Sequence, residues 1–132
     1  MRCALNDTVT AAKADLDTRN VVEAFLAAFN RRDVDGIMAL MSDDCVFESA
    51  SPGPDGNRVI GHQDVRKVWE QLFATRQSVT FDGEETFVAG DRAVARWVMK
   101  WTDGGQAQHI RGLDLLRVKD GKVVDKLAYT KR

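Results

Sequence analysis

The period of the apolar residues changes near Thr75, and this change divides the sequence into a helical half and a strand half. From Asp17 onwards apolar side chains recur at helical spacing, which predicts a first helix. Its apolar stripe consists of Val22, Phe25, Leu26 and Phe29. After Thr75 apolar and polar residues alternate, which predicts strands over residues 78–88 and 92–102.

Shorter signals between these halves predict two more helices and one strand. Asp33 follows the break in the first stripe and is suited to cap a short second helix that carries Ile37, Met38 and Met41. Residues 45–50 are typical of a strand, whereas the Pro, Gly, Asp and Asn of residues 51–57 predict a loop. Gly61, followed by Asp64, predicts the start of a third helix. The inward residues of that helix are Val65, Val68, Trp69, Leu72 and Phe73.

The last part of the sequence, residues 106–129, predicts a hairpin that turns at Asp120-Gly121. Alternation places Asp114 on the more apolar face of its strand. A carboxylate in an apolar row is costly to bury, so it must be hydrogen-bonded, paired with a cation or kept neutral. Asp114 is therefore the candidate functional residue. The alternative interpretation is an ordinary carboxylate at a strand end or in a structural network.

The partner of Asp114 depends on the register of this hairpin. A simple two-residue turn would place Leu127 opposite Asp114, with Asp125 and Tyr129 on the diagonals. A bulged turn would shift the pairing by one residue and bring Lys126 opposite instead. Burial alone favours the neutral acid, whereas pairing with Lys126 favours the carboxylate. Both registers remain open from the sequence.

Helices that precede an antiparallel meander are typical of an α+β fold. The predicted element order is α-β-α-β-β-β-β, with three helices in the N-terminal half. Residues 17–132 are expected to form a single domain with a core of its own. Residues 1–16 are expected to form a flexible or helical N-terminal arm.

Charge and composition argue against several classes of function. The 19 basic and 20 acidic residues give a net charge of -1 and are intermixed, so no nucleic-acid partner is expected. No apolar run reaches membrane-spanning length and no signal-peptide pattern is present, so a cytoplasmic protein without a membrane partner is expected.

Cys3, Cys45, His62 and His109 lack metal-ligand spacing. No phosphate-binding glycine loop occurs. We therefore expect neither a metal nor a cofactor.

An aromatic stripe, Trp97, Met99 and Trp101, lies on one face of a predicted strand. Such a stripe forms core, a subunit interface or the wall of an apolar ligand pocket. Val94 and Val98 make the opposite face partly apolar as well. Only one face can pack against helices, so the other would be an exposed apolar patch unless a second copy covered it. This pattern predicts a homodimer formed through the sheet.

Two segments carry a resemblance to a known family. Phe29-Asn-Arg-Arg-Asp33, continued by Leu40-Met-Ser-Asp-Asp-Cys-Val-Phe47, and the hairpin over residues 111–123 resemble the nuclear transport factor 2-like (NTF2-like) superfamily. Within it, residues 17–132 resemble ketosteroid isomerases and SnoaL-like polyketide cyclases. The resemblance implies a cone-shaped, curved, mainly antiparallel sheet of the cystatin-like kind, wrapped by helices. It also implies an apolar pocket at one end and dimerisation through the sheet.

The catalytic positions of these isomerases match the chain only in part. The resemblance implies a tyrosine on the first helix, an aspartate base after the first strand and a protonated aspartate on the penultimate strand. These positions hold Phe25, Ser49 and Asp114, so only the last one matches. Since serine is no unassisted base at neutral pH, ketosteroid isomerase activity is not expected. The chain also lacks the aspartate–arginine–aspartate set of the epoxide hydrolases, because the position two residues after Arg96 holds Val98 instead of an acid.

The resemblance to SnoaL-like cyclases, together with Asp114, predicts a pocket for an apolar, oxygen-bearing small molecule. If the chain is an enzyme, it is a cofactor-free isomerase, cyclase or lyase that uses Asp114 for proton transfer. The alternative is a non-catalytic ligand-binding or dimerisation module. The residues expected to line the pocket are Phe25, Phe47, Ser49, Trp69, Leu116, Leu127 and Tyr129.

Overall fold

The computed structural model describes residues 2–131, without the side chains of residues 2–9 and of residue 77. Its helices are α1 (Arg2–Asn30), α2 (Val34–Ala39) and α3 (His62–Thr75). Its strands are β1 (Met41–Glu48), β2 (Arg58–Ile60), β3 (Gln77–Ala89), β4 (Arg92–Asp103), β5 (Gln106–Lys119) and β6 (Lys122–Thr130). They form a six-stranded sheet in the order β2-β1-β6-β5-β4-β3, in which β1 and β6 are parallel and the other neighbours antiparallel. The prediction of an α+β fold is confirmed.

The boundaries of three elements differ from those predicted. Helix α1 starts at Arg2, before the predicted start near Asp17, and continues without a break through the segment that was expected to form a flexible or helical arm. Strand β1 starts at Met41, which had been placed on the second helix. Strand β2 has only three residues, Arg58–Ile60, and is too short to show an alternating pattern in the sequence. No helix within residues 2–131 has the length and apolarity needed to cross a membrane.

The break between α1 and α2 has the predicted cap. The side chain of Asp33 accepts a hydrogen bond of 2.9 Å from the backbone N–H of Gly36. This bond satisfies one of the free donors at the start of α2. Because α2 is short, the cap and the burial of Ile37 and Met38 hold it against α1 and α3.

An aromatic cluster joins the helices to the inner face of the sheet. The ring of Phe29 on α1 lies 4.8 Å from the ring of Trp69 on α3 and 5.5 Å from that of Phe81 on β3. Phe81 in turn contacts Trp97 on β4 at 5.4 Å. These pairs are edge-to-face, the geometry that aromatic rings favour. The cluster therefore fixes the position of both long helices over the sheet.

A bulge in β6 determines which side chains of this strand face the helices. Asp125 pairs with Arg117 and Val123 pairs with Val118, so Val124 has no partner on β5. This extra residue places Ala128 opposite Asp114. The prediction that Leu127 or Lys126 stands opposite Asp114 is wrong, because the bulge shifts the register in the other direction.

Gly112 lies where two strands and an indole ring meet. A Cβ built on Gly112 would lie 2.5 Å from the carbonyl oxygen of Tyr129 and 2.7 Å from Cη2 of Trp97. Such contacts are shorter than van der Waals packing allows. The absence of a side chain at Gly112 thus lets Trp97 lie across β5.

We predict that Gly112→Ala lowers the free energy of unfolding by about 1–3 kcal/mol, because the new methyl group must displace Trp97 or the backbone of β6. Urea denaturation measures the change. Gly53→Ala is the matched control, since a Cβ on Gly53 meets no atom within 4 Å. An equal effect of both substitutions would contradict the close packing at Gly112.

Candidate functional site

A cavity of about 320 Å³ lies between α3, β1 and the inner face of the sheet. We call it the aromatic cavity, because Phe29, Phe47, Trp69, Phe81, Trp97 and Trp101 line it. Its further lining includes Met99, Ile110, Ser49, Arg76 and Lys126. Of the three interpretations of the stripe on β4, the structure therefore favours the pocket wall.

An ion pair lies at the inner end of this cavity. Nζ of Lys126 is 3.0 Å from Oδ1 of Asp114, and the two side chains are only 7% and 11% exposed. The bulge at Val124 turns Lys126 inward, and the diagonal position across β5 and β6 brings it to Asp114. The acid in the apolar row is thus a carboxylate paired with a cation, which is one of the states expected for it.

Three aromatic rings surround the ammonium group of Lys126. Its Nζ lies 4.9 Å from the ring centre of Phe47, 5.3 Å from that of Trp69 and 5.7 Å from that of Phe29. Ring faces attract cations, so the rings and Asp114 together hold the lysine head group in place. A lysine ammonium has three N–H donors, and within the described residues only Asp114 accepts a hydrogen bond from it. The remaining donors are available to a molecule in the cavity.

Asp114 itself borders a different and much smaller space. It lines a cavity of about 20 Å³ together with Phe25, Leu26 and Leu116, and Lys126 lines this space as well. Asp114 is not among the residues that line the aromatic cavity. Of the two paired residues, Lys126 is therefore the one that a molecule in the aromatic cavity would contact.

Two further donors in the lining have no acceptor. The indole N–H groups of Trp69 and Trp97 are buried, and neither has a hydrogen-bond partner within the described residues. Buried donors nearly always have a partner. Both tryptophans line the aromatic cavity, but their N–H groups are themselves buried in the packing around it.

Ser49 lies at the edge of the cavity and is bound to its own loop. Its hydroxyl donates to the carbonyl of Ser51 at 2.8 Å and accepts from the backbone N–H of Asn57 at 2.9 Å. These bonds hold the 51–57 loop against β1. Ser49 is thus a structural residue of the cavity edge, and no base is present at this position.

The structure places the other predicted lining residues in three different locations. Phe47 and Trp69 line the aromatic cavity, whereas Phe25 and Leu116 line the small space behind Lys126. The prediction that Leu127 and Tyr129 line the pocket is wrong. The bulge turns both to the outer face of the sheet, where Leu127 is half-buried and Tyr129 is 54% exposed. From the sequence, Lys126 was expected to meet Asp114 only if the hairpin had a bulged turn.

Cys45, His62 and His109 do not line the aromatic cavity. Cys45 is fully buried, and burial raises the pKa of its thiol, so the nucleophilic thiolate is disfavoured. A ring nitrogen of His62 lies 2.9 Å from the carbonyl oxygen of Met38. Within residues 2–131 no group of three or more His, Cys, Asp or Glu side chains is arranged to hold a metal ion.

Comparison with known proteins identifies relatives of the whole fold. The sequence model of the SnoaL-like domain matches residues 22–126. The structure of an NTF2-like protein of unknown function from Mesorhizobium loti is 36% identical, with a TM-score of 0.77, over 89% of this chain and 93% of that one. No curated protein matches the chain.

Two more distant structures share the fold. A candidate polyketide cyclase from Xanthomonas campestris pv. campestris is 21% identical, with a TM-score of 0.75, over 89% of this chain and 93% of that one. A candidate ketosteroid isomerase from Kribbella flavida is 18% identical, with a TM-score of 0.72, over 89% of this chain and 80% of that one.

We predict that Lys126→Met lowers the free energy of unfolding by about 3–5 kcal/mol, because it leaves the Asp114 carboxylate buried without a partner. The double variant Lys126→Met/Asp114→Leu removes both charges, so its free energy of unfolding is expected to fall by less than that of the single variant. Urea denaturation of both variants measures the difference.

The control for this prediction is an exposed ion pair on the outer face. Lys100 and Asp82 are 56% and 53% exposed, so Lys100→Met is expected to cost about 0–1 kcal/mol. If the single and double variants at Lys126 lost the same free energy, the two buried charges would be uncoupled.

Proposed function

The chain belongs to the SnoaL-like domain family of the NTF2-like superfamily, and we propose that it catalyses a cofactor-free proton transfer on an apolar, oxygen-bearing small molecule. The reaction class is isomerisation, cyclisation or elimination by a lyase. One observation carries the proposal: the Lys126–Asp114 pair is buried, and its lysine lines the inner end of the aromatic cavity. Buried charged pairs beside ligand-sized apolar cavities are frequent at functional sites.

The lining of the cavity supports a ligand with a carbonyl oxygen. The six aromatic side chains in the wall favour a flat apolar body. The N–H donors of Lys126 that Asp114 leaves free can meet acceptor atoms of a ligand. A volume of about 320 Å³ suits a small ring system rather than an extended chain. We propose that the carbonyl oxygen of the ligand lies against Lys126.

Proton exchange within the pair supplies the base. Transfer of a proton from Lys126 to Asp114 gives a neutral amine and a neutral acid. The amine then removes a proton from the carbon next to the ligand carbonyl, and the restored ammonium stabilises the enolate oxygen. Lys126 returns the proton to a different carbon, and Asp114 returns its own proton to Lys126. Atoms and charges balance over this cycle, and no cofactor is consumed.

Asp114 is a positioning residue in this scheme. It holds Lys126 among the rings and stores one proton, but it does not line the aromatic cavity. This arrangement differs from an isomerase in which a carboxylate removes the proton itself. It also accounts for Phe25 and Ser49 at the positions where those isomerases carry a tyrosine and an aspartate.

The bicyclic ketone 2-tetralone is a suitable probe, because its α-protons exchange with deuterium from D₂O. We predict that the protein accelerates this exchange and that Lys126→Met lowers the protein-catalysed rate by at least about a hundredfold, the usual contribution of a general base. Asp114→Asn is expected to lower the rate as well. NMR follows the loss of the α-proton signals, with the buffer rate subtracted.

Lys100→Met is the matched control, since Lys100 lies on the outer face and is half exposed. Full exchange activity in Lys126→Met would contradict the proposal. If calorimetry detected binding of 2-tetralone without any acceleration of exchange, the chain would be a ligand-binding module instead.

We also propose that the protein is a homodimer formed through the outer face of the sheet. Phe87, Val94, Leu115 and Leu127 are paired across four neighbouring strands and form one apolar row on this face. Phe87 is 56% exposed in the single chain. An apolar row of this kind is typical of a surface that a second copy covers.

We predict that Leu115→Arg converts the dimer into a monomer, because it places a charge in the middle of the apolar row. Sedimentation velocity at micromolar concentration measures the change. Leu16→Arg adds the same charge to an exposed position on α1 and should leave the dimer intact. A wild-type protein that sediments as a monomer at this concentration would rule out the dimer.

A further inference from the structure

A second cation lines the aromatic cavity, at the C-terminal end of α3. The guanidinium carbon of Arg76 lies 4.4 Å above the ring centre of Trp101. The backbone of this turn is held by Arg32, which donates to the carbonyl of Phe73 at 2.6 Å and to that of Arg76 at 3.4 Å. The backbone N–H of Arg76 bonds to the carbonyl of Leu72. The position of Arg76 is thus defined by the end of the helix and by the indole ring.

The charge of Arg76 is not balanced by the protein. Within the described residues Arg76 takes part in no ion pair, whereas most other arginines there contact a carboxylate. No Asp or Glu is among the described residues that line the aromatic cavity. The carboxylate of Asp114 lies on the far side of Lys126 and already pairs with it. The cavity therefore presents a net positive lining.

The stacked guanidinium leaves its N–H donors free. The guanidinium carbon lies over one face of the Trp101 ring, and the N–H bonds of this planar group point outwards in its own plane. Within the described residues none of these donors has an acceptor. A planar group with two oxygens can meet such donors with two parallel hydrogen bonds.

From these observations we infer that Arg76 forms a second subsite of the aromatic cavity and selects ligands that carry a carboxylate. The inference rests on the proposed function, because it concerns the same ligand. Lys126 contacts the carbonyl oxygen at the inner end, and Arg76 binds the carboxylate at the half-exposed end. Trp97, Met99 and Trp101 follow one another along β4 and supply the apolar wall between the two subsites. The substrate class is an aromatic or alicyclic keto acid.

Calorimetry with a matched pair of probes tests the subsite. The probes 2-naphthoate and 2-naphthamide have the same ring system and similar shape, but only the first is an anion. The wild-type protein is expected to bind 2-naphthoate about tenfold more tightly, as one charge-assisted pair of hydrogen bonds provides. In Arg76→Gln the two dissociation constants should become equal to within about twofold, while the binding of 2-naphthamide is retained. Because salt screens exposed charges, the preference of the wild-type protein for 2-naphthoate over 2-naphthamide should also become smaller at higher ionic strength.

Two control variants assign the effect to Arg76. Arg92→Gln removes an exposed arginine at the opposite end of β4 and should keep the full preference. Arg76→Lys keeps the charge but loses the planar fork, so it should keep only part of the preference.

The outcomes separate this inference from the proposed function. If the wild type bound both probes equally, or if Arg76→Gln kept the tenfold preference, the carboxylate subsite would be refuted. A preference lost only in Lys126→Met would place the carboxylate at Lys126 and would also overturn the inference. In either case the exchange of 2-tetralone still tests the role of Lys126 independently. If neither probe bound to the wild type, both the subsite and the proposed ligand cavity would be refuted.

Discussion

The architecture of the site depends on the single extra residue at Val124. A strand without this bulge would turn Leu127 and Tyr129 towards the helices and Lys126 towards the outside, because neighbouring side chains alternate between faces. The acid at Asp114 would then face apolar side chains without a cation. One unpaired residue thus changes an unpaired buried acid into a buried ion pair, and it moves an apolar leucine to the outer row of the sheet.

The burial of this ion pair is costly, which argues for a function. Two charges removed from water regain through their attraction only part of what they lose in hydration, and apolar residues of similar size often give an equal or higher stability. The rings of Phe29, Phe47 and Trp69 recover a further part by contact with the ammonium. The protein nevertheless retains free donors on Lys126 beside the same cavity. A buried ion pair that lowers stability and keeps hydrogen-bond donors without acceptors is typical of a ligand site.

Local sequence patterns predicted most of the fold, but of the charged residues at the site they predicted only Asp114 directly. The periods of α1, α3 and β3–β5 are long and regular, so their identity could be predicted, and the cap at Asp33 followed from its side chain alone. The face of each residue on β6 could not be predicted, because the bulge is stabilised by contacts with β1 and β5 rather than by its own sequence. Arg76 was missed for a similar reason. Its role arises only where the end of α3 meets Trp101 near the end of β4.

The distribution of tryptophan gives the molecule an optical property of its own. The sequence contains three tryptophans, and Trp69, Trp97 and Trp101 all line the aromatic cavity. The tryptophan fluorescence of the folded chain therefore originates from the walls of this one cavity. Lys126 and Arg76 lie against two of these indoles and contribute to the electric field that acts on them. A change in the surroundings of the cavity wall would therefore be expected to alter the ultraviolet emission of the protein.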